Sequence, residues 1–144
     1  MGKKKILVVD DELYIRDLVT NALEEDYIVL EASDGEQAIG IVSKQKPDLI
    51  LMDVLLPKLD GVSACCVIKS GTNTKTIPII MMSGRTDKID QDYSKEIGAD
   101  DYLTKPFDIE ELLDKVDQYF DQSRNQPLTR HPEQQLPQKG KPDE

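Results

Sequence analysis

Long apolar runs are missing from this chain of 144 residues: its stretches of Val, Ile, Leu and Met are four to six residues long, far short of the roughly 20 that a membrane-spanning helix needs. The opening MGKKK is not followed by the apolar region and cleavage site of a secretory signal. Ile6 also stands where a myristoylation signal carries Ser or Thr. Cysteine is scarce, and Cys65 and Cys66 are adjacent, which suits neither a staple across the fold nor a metal-ligand spacing. They read as small apolar helix residues in a reducing compartment, so a cytoplasmic setting is expected. Positive charge is short as well, with 18 Lys and Arg against 28 Asp and Glu and a net charge of −10. That balance argues against direct nucleic-acid binding, which needs clustered cations to displace counterions. Neither GxxxxGK[ST] nor GxGxxG occurs, so a nucleotide-binding loop of those types is excluded.

What is present is a set of short apolar runs that each end in a reactive polar side chain. ILVVDDE (6–12) ends in Asp10 and Asp11, DLILMD (48–53) in Asp53, IPIIMMSG (77–84) in Ser83, and DYLTKP (101–106) in Lys105 before Pro106. Runs of this length and composition suit strands buried on both faces of a parallel sheet. Ligands bind at the carboxyl ends of such strands. Three carboxylates, a hydroxyl and an ammonium would therefore meet on one edge as a divalent-cation and phosphate site. Taken alone, the acid pair reads better as a helix N-cap with a favourable first-turn charge; with Asp53 and Lys105 in register, the site reading prevails. Without a cation, three carboxylates this close should raise at least one pKa.

Between the runs lie segments of helical period. Ile15, Leu18, Val19, Ala22 and Leu23 predict a first helix over about 12–25. A second strand is expected over 27–33, then a helix marked by Ala38, Ile41 and Val42 that stops before Pro47. A third helix is expected to start after Gly61 and run to about Ser70-Gly71, burying Val62, Cys65 and Cys66, with Pro57 and Gly61 shaping the loop before it and Asp60 as its expected cap. A fourth, over about 87–97, has only Ile89, Tyr93 and Ile97 as an apolar stripe. A fifth follows an expected cap at Asp108, with Ile109, Leu112, Leu113, Val116 and Phe120 on one face. Residues 1–122 are thus expected to form one α/β domain with a five-stranded parallel sheet and five helices. Residues 123–144, with prolines at 127, 132, 137 and 142 and the lone His131, read as a disordered polar tail.

The acid pair in VVDDE, the segment DVLLPKLDG (53–61), the strand end IIMMSG and GADDYLTKPF (98–107) stand in order and at matched intervals. In these pieces the chain resembles a two-component response-regulator receiver domain over roughly residues 4–121. The resemblance implies a doubly wound sheet of flavodoxin-like order 2-1-3-4-5. It implies that Asp53 accepts a phosphoryl group from a histidine kinase or phosphotransfer protein. It implies Mg²⁺ held by Asp11 and Asp53 directly, by Asp10 through water and by the main-chain carbonyl of Leu55. Lys105, with its Pro106 peptide in cis, and Ser83 would contact the phosphoryl oxygens, and Tyr102 would serve as an aromatic switch. Sequence alone makes Lys105–Pro106 an X-Pro turn, for which trans is the commoner form. Arg85 either shields the phosphate or lies on the surface.

Other readings fare less well. A phosphatase with a strand-end Asp nucleophile needs a second Asp two residues on, where this chain has Leu55. A docking module that no longer takes phosphate is disfavoured because every site residue is present. The output is expected through protein contact at a face over about 86–118, either from a stand-alone module or from the receiver part of a longer regulator.

Overall fold

Strand β1 (Lys5–Val9) is apolar and buried from Ile6 onward, and β3 (Leu49–Asp53) is buried at every position. Strand β4 (Ile79–Gly84) is buried up to its last residue. These are the strands covered on both faces, while β2 (Ile28–Ala32) and β5 (Asp101–Lys105) form the more exposed edges. All pairs are parallel, in the order β2-β1-β3-β4-β5. The chain steps from β1 to β2 on one side and then returns to place β3 on the other. That reversal opens a crevice at the carboxyl ends of β1 and β3, where Asp10 follows one strand and Asp53 ends the other.

The structure, a computed structural model, describes residues 2–84 and 98–120. The chain divides into two compact units, Met1–Leu113 and Asp114–Glu144. The described helices are α1 (Leu13–Leu23), α2 (Gly35–Gln45), α3 (Gly61–Ser70) and α4 (Ile109–Phe120). The expectation of five helices is therefore corrected to four among the described residues. The segment expected as the fourth, about 87–97, lies outside them, as do Arg85 and the tail from 123; residues 87–97 offer three apolar positions, the thinnest stripe of the five expected helices.

Helix starts follow from side-chain capping. Asp34 accepts the Gln37 N–H at 2.8 Å and Asp60 accepts the Ser63 N–H at 2.8 Å. Asp108 and Glu111 cap reciprocally, at 2.9 Å and 3.1 Å, as a capping box does. Helix α2 ends where Lys46 turns left-handed ahead of Pro47. One face of the sheet, with Leu7, Val9, Ile50, Met52, Ile79 and Met81, shares a core with Ala38 and Val42 of α2 and Ala64, Cys65 and Ile68 of α3. Cys66 is exposed, against expectation: with Gly61, Ala64, Cys65 and Ile68 as the buried stripe, the next residue is rotated about 100° away. Among the described residues no helix is long and apolar enough to cross a membrane.

Candidate functional site

Asp10 is fully buried at the end of β1, and each of its side-chain oxygens has a donor. Oδ1 accepts the Glu12 N–H at 3.0 Å and Oδ2 accepts the Lys105 ammonium at 2.7 Å. Its main chain is held as well: its N–H donates to the Ala32 carbonyl at 3.1 Å, and its carbonyl accepts the Arg16 guanidinium at 2.7 Å. Arg16 is braced in turn by Glu31 at 3.1 Å. Nothing in the sequence pattern pointed to Arg16, because its contact is with a backbone atom.

Asp53 is 7% exposed. Its Oδ1 accepts the Leu55 N–H at 3.3 Å and its Oδ2 accepts the Lys105 ammonium at 3.2 Å. Lys105 thus bridges two carboxylates, one 95 residues away in the chain and the other 52. Burial pushes the Asp53 carboxyl up from 3.8 to about 6, and the neighbouring Asp10 charge adds to this while Lys105 opposes it. Burial pulls the Lys105 ammonium down, but the hydrogen bond to Asp10 and the charges of Asp53 and Asp10 outweigh it and leave the pKa raised. The ionised form of Lys105 is thus favoured, whereas Asp53 carries charge that its surroundings only partly offset.

Asp11 stands exposed beside this pair, and Asp10, Asp11 and Asp53 each present an oxygen within 4.8 Å of the others. Three hard oxygen donors, two buried and one open to solvent, suit a small divalent cation that keeps part of its water shell. The cluster can coordinate such a metal. Helix α1 does not compete for these groups: its N-cap is Glu12, which makes no side-chain cap bond, so the acid pair lies ahead of the cap.

Ser83 is buried on β4, in register with Thr104, one residue before Lys105. Its hydroxyl pairs with the Tyr102 hydroxyl at 2.7 Å and donates to the Gly84 carbonyl at 3.3 Å. Tyr102 is half-buried. Lys105–Pro106 is a cis peptide. The structure therefore joins Asp10, Asp11, Asp53 and Lys105 in one cluster and sets Ser83 and Tyr102 as a second pair on the neighbouring strands. Leu55 has an exposed side chain and enters the site through its main chain.

A family model described as the response regulator receiver domain matches residues 6–117. The alkaline phosphatase synthesis transcriptional regulatory protein PhoP of Bacillus subtilis is 45% identical over 114 residues, covering 78% of this chain and 47% of PhoP. The chain spans about half the length of the curated relatives it matches. Among solved structures, the Vibrio cholerae chemotaxis protein CheY4 is 31% identical with a TM-score of 0.77, over 82% of this chain and 99% of CheY4. The receiver domain of the Pseudomonas aeruginosa sensor histidine kinase PA1611, solved with a magnesium ion coordinated in its active-site cleft, is 33% identical with a TM-score of 0.76, over 82% and 98%. A family match that runs from β1 past Lys105 and takes in both clusters makes this chain a member of the response regulator receiver domain family.

Proposed function

We propose that Asp53 is the phosphoryl acceptor of this receiver, that Mg²⁺ is its metal, and that Lys105 and Ser83 serve the transferred group. Receiver domains accept and release a phosphoryl group on themselves and do not turn over a separate substrate, and membership of the family implies a histidine kinase or phosphotransfer protein as donor. In the transfer, a carboxylate oxygen of Asp53 attacks phosphorus. The P–O bond forms as the P–N bond to the donor imidazole breaks, and the nitrogen leaves with the electron pair. At neutral pH a group that titrates near 6 is mostly ionised and able to attack. Lys105, already 3.2 Å from Asp53, would pair with a phosphoryl oxygen, since positioning and charge carry most of the catalysis in this chemistry.

Bound at Asp10, Asp11, Asp53 and the Leu55 carbonyl, Mg²⁺ would supply positive charge against the phosphoryl oxygens. The magnesium in the related PA1611 receiver supports this choice. Both oxygens of Asp10 already have donors, which supports an indirect role for it. Ser83 would exchange its Tyr102 partner for a phosphoryl oxygen. That exchange is the differential contact through which phosphate can bias Tyr102. The expected output face, about 86–118, lies in part outside the described residues. The functional domain is taken as residues 1–122, in a cytoplasmic setting, with 123–144 as a polar tail.

The observation that carries this reading is the bridging of Asp10 and Asp53 by Lys105 beside a third carboxylate. Acetyl phosphate with Mg²⁺ should add one phosphoryl mass to the intact protein. Chelation or Asp53→Ala should abolish the addition, and undiminished uptake by that variant would contradict it. A second reading concerns the whole protein: relatives such as PhoP are named transcriptional regulators, and about half of each lies beyond the match. Whether codons for a further domain follow Glu144 decides between a transcriptional output and one through protein contact.

A further inference from the structure

The loop that follows Asp53 is pinned at its base and at its tip by glycines against which another backbone lies. At the base, the Gly61 N–H donates to the Val54 carbonyl at 2.9 Å, and a Cβ on Gly61 would stand 2.0 Å from the Asp53 carbonyl oxygen. At the tip the partner comes from a distant part of the chain. Gly35 is the first residue of α2, and a Cβ there would lie 2.0 Å from the Leu59 carbonyl oxygen, 2.8 Å from its carbon and 2.9 Å from the Leu59 Cβ. Two of these three atoms are backbone, which cannot swing aside as the end of a flexible side chain would. Gly35 is not among the residues with positive φ, so conformational freedom is not what this glycine supplies. Glycine weakens a helix relative to alanine; its use here is the close approach.

The surrounding groups direct the loop to that seat. The Leu59 N–H donates to the Pro57 carbonyl at 2.7 Å. Lys58 between them is held at φ 65, a region that residues with side chains seldom occupy. Its ammonium lies 3.8 Å from Asp34, the cap of α2. The Leu59 side chain packs partly buried against the core. The tip is therefore anchored to the start of α2, while the other end of the same loop carries Leu55, whose N–H bonds Asp53.

We propose that Gly35 is a positioning residue for the phosphoryl site: by seating the Leu59 carbonyl on bare helix backbone it fixes Val54–Asp60, and with that segment the Leu55 main chain beside Asp53. The inference rests on the reading of Asp53 and Leu55 given above. Groups that hold a metal ligand in place typically change metal affinity about 10–100-fold when altered.

Calorimetric Mg²⁺ titration of wild type, Gly35→Ala and Gly40→Ala tests it. Gly40 lies in the same helix, and a Cβ there meets nothing within 4 Å. With far-UV circular dichroism showing a folded protein, Gly35→Ala should weaken Mg²⁺ binding by about 10–100-fold, and Gly40→Ala should leave it unchanged. Amide exchange should quicken at residues 54–60 of Gly35→Ala relative to β1 and β3, a local change that general destabilisation would not produce. A second variant, with one glycine inserted between Lys58 and Leu59, lengthens the loop without adding an atom to α2, and it should show the same loss. It decides the matter if Gly35→Ala does not fold. Wild-type Mg²⁺ affinity in a folded Gly35→Ala, or in the insertion variant, overturns the role of Gly35. If the wild type itself binds no Mg²⁺, the reading of the site falls, and this proposal with it.

Discussion

Asp34 and Asp53 are buried to nearly the same degree, 6% and 7% exposed, yet they sit in opposite electrostatic settings. Asp34 turns an oxygen onto the Gln37 N–H at 2.8 Å, three residues away, and satisfies one of the orphan donors at the start of α2. Asp53 faces a second carboxylate and an ammonium brought from the far end of the sheet. The first contact is local, and the Lys58 ammonium 3.8 Å from Asp34 is largely exposed. The second leaves a carboxyl pushed up to about 6, with room beside it for more positive charge. Burial alone does not separate a structural aspartate from a chemical one; the partners do. The start of α1 makes the same point, since Asp10 and Asp11 precede a helix whose N-cap is Glu12, and the Glu12 side chain makes no cap bond.

The largest expected effect that would sharpen this contrast is at Lys105. Lys105→Ala leaves the fully buried Asp10 without its ammonium, a change that costs about 3–5 kcal/mol when a buried charge loses its partner. Urea unfolding of the metal-free protein at neutral pH should show that loss at an unchanged m-value, with partial recovery on adding Mg²⁺. A loss below about 1 kcal/mol would make the bridge no more than a surface pair.

Next in size is a pH dependence. The folded Asp53 carboxyl titrates near 6, above its ordinary 3.8, so the native state binds this proton more tightly than the unfolded chain does. Stability should therefore fall as pH rises from about 4 to about 6.5, by roughly 3 kcal/mol in metal-free protein. The raised pKa of Lys105 acts only above 10.5, outside that window. The difference between the wild-type and Asp53→Asn stability curves isolates the effect, and Asp53→Asn should be the more stable protein at pH 7. Parallel curves would contradict the raised carboxyl at Asp53.

The smallest effect is at the cap. Asp34→Ala should cost about 1 kcal/mol, and Asp34→Asn should recover most of it, because an amide oxygen caps nearly as well. Thermal unfolding of the two variants checks this. At Asp53 the same exchange to Asn should instead remove phosphoryl uptake, since the amide offers no anionic oxygen to attack phosphorus.

Much of this was legible in the sequence for one physical reason. Strands buried on both faces read as unbroken apolar runs, so the residue at which such a run stops, as at Asp53, marks the carboxyl edge of the sheet; β5 is a more exposed edge strand, so Lys105 was legible from the motif around it and not from an apolar run. The caps at Asp60 and Asp108 were legible because they act within one turn. Cys66 was misplaced because two adjacent cysteines look alike until the helix phase is fixed by Ala64 and Ile68. Arg16 and Gly35 gave no signal. One acts on the Asp10 carbonyl and the other on the Leu59 carbonyl, and a contact with backbone leaves no trace in the identity of the residue contacted. The segment about 87–97 offered too few apolar positions to be read as a helix on the same footing as the others.

The most direct test of the account is to locate the phosphoryl group among the three carboxylates that share the site. After acetyl phosphate treatment with Mg²⁺, the acyl phosphate can be trapped by borohydride reduction and the modified residue mapped by peptide mass spectrometry. The account predicts a single modified position, Asp53, lost when the metal is chelated. Modification at Asp10 or Asp11, or at Asp53 independently of metal, would contradict it.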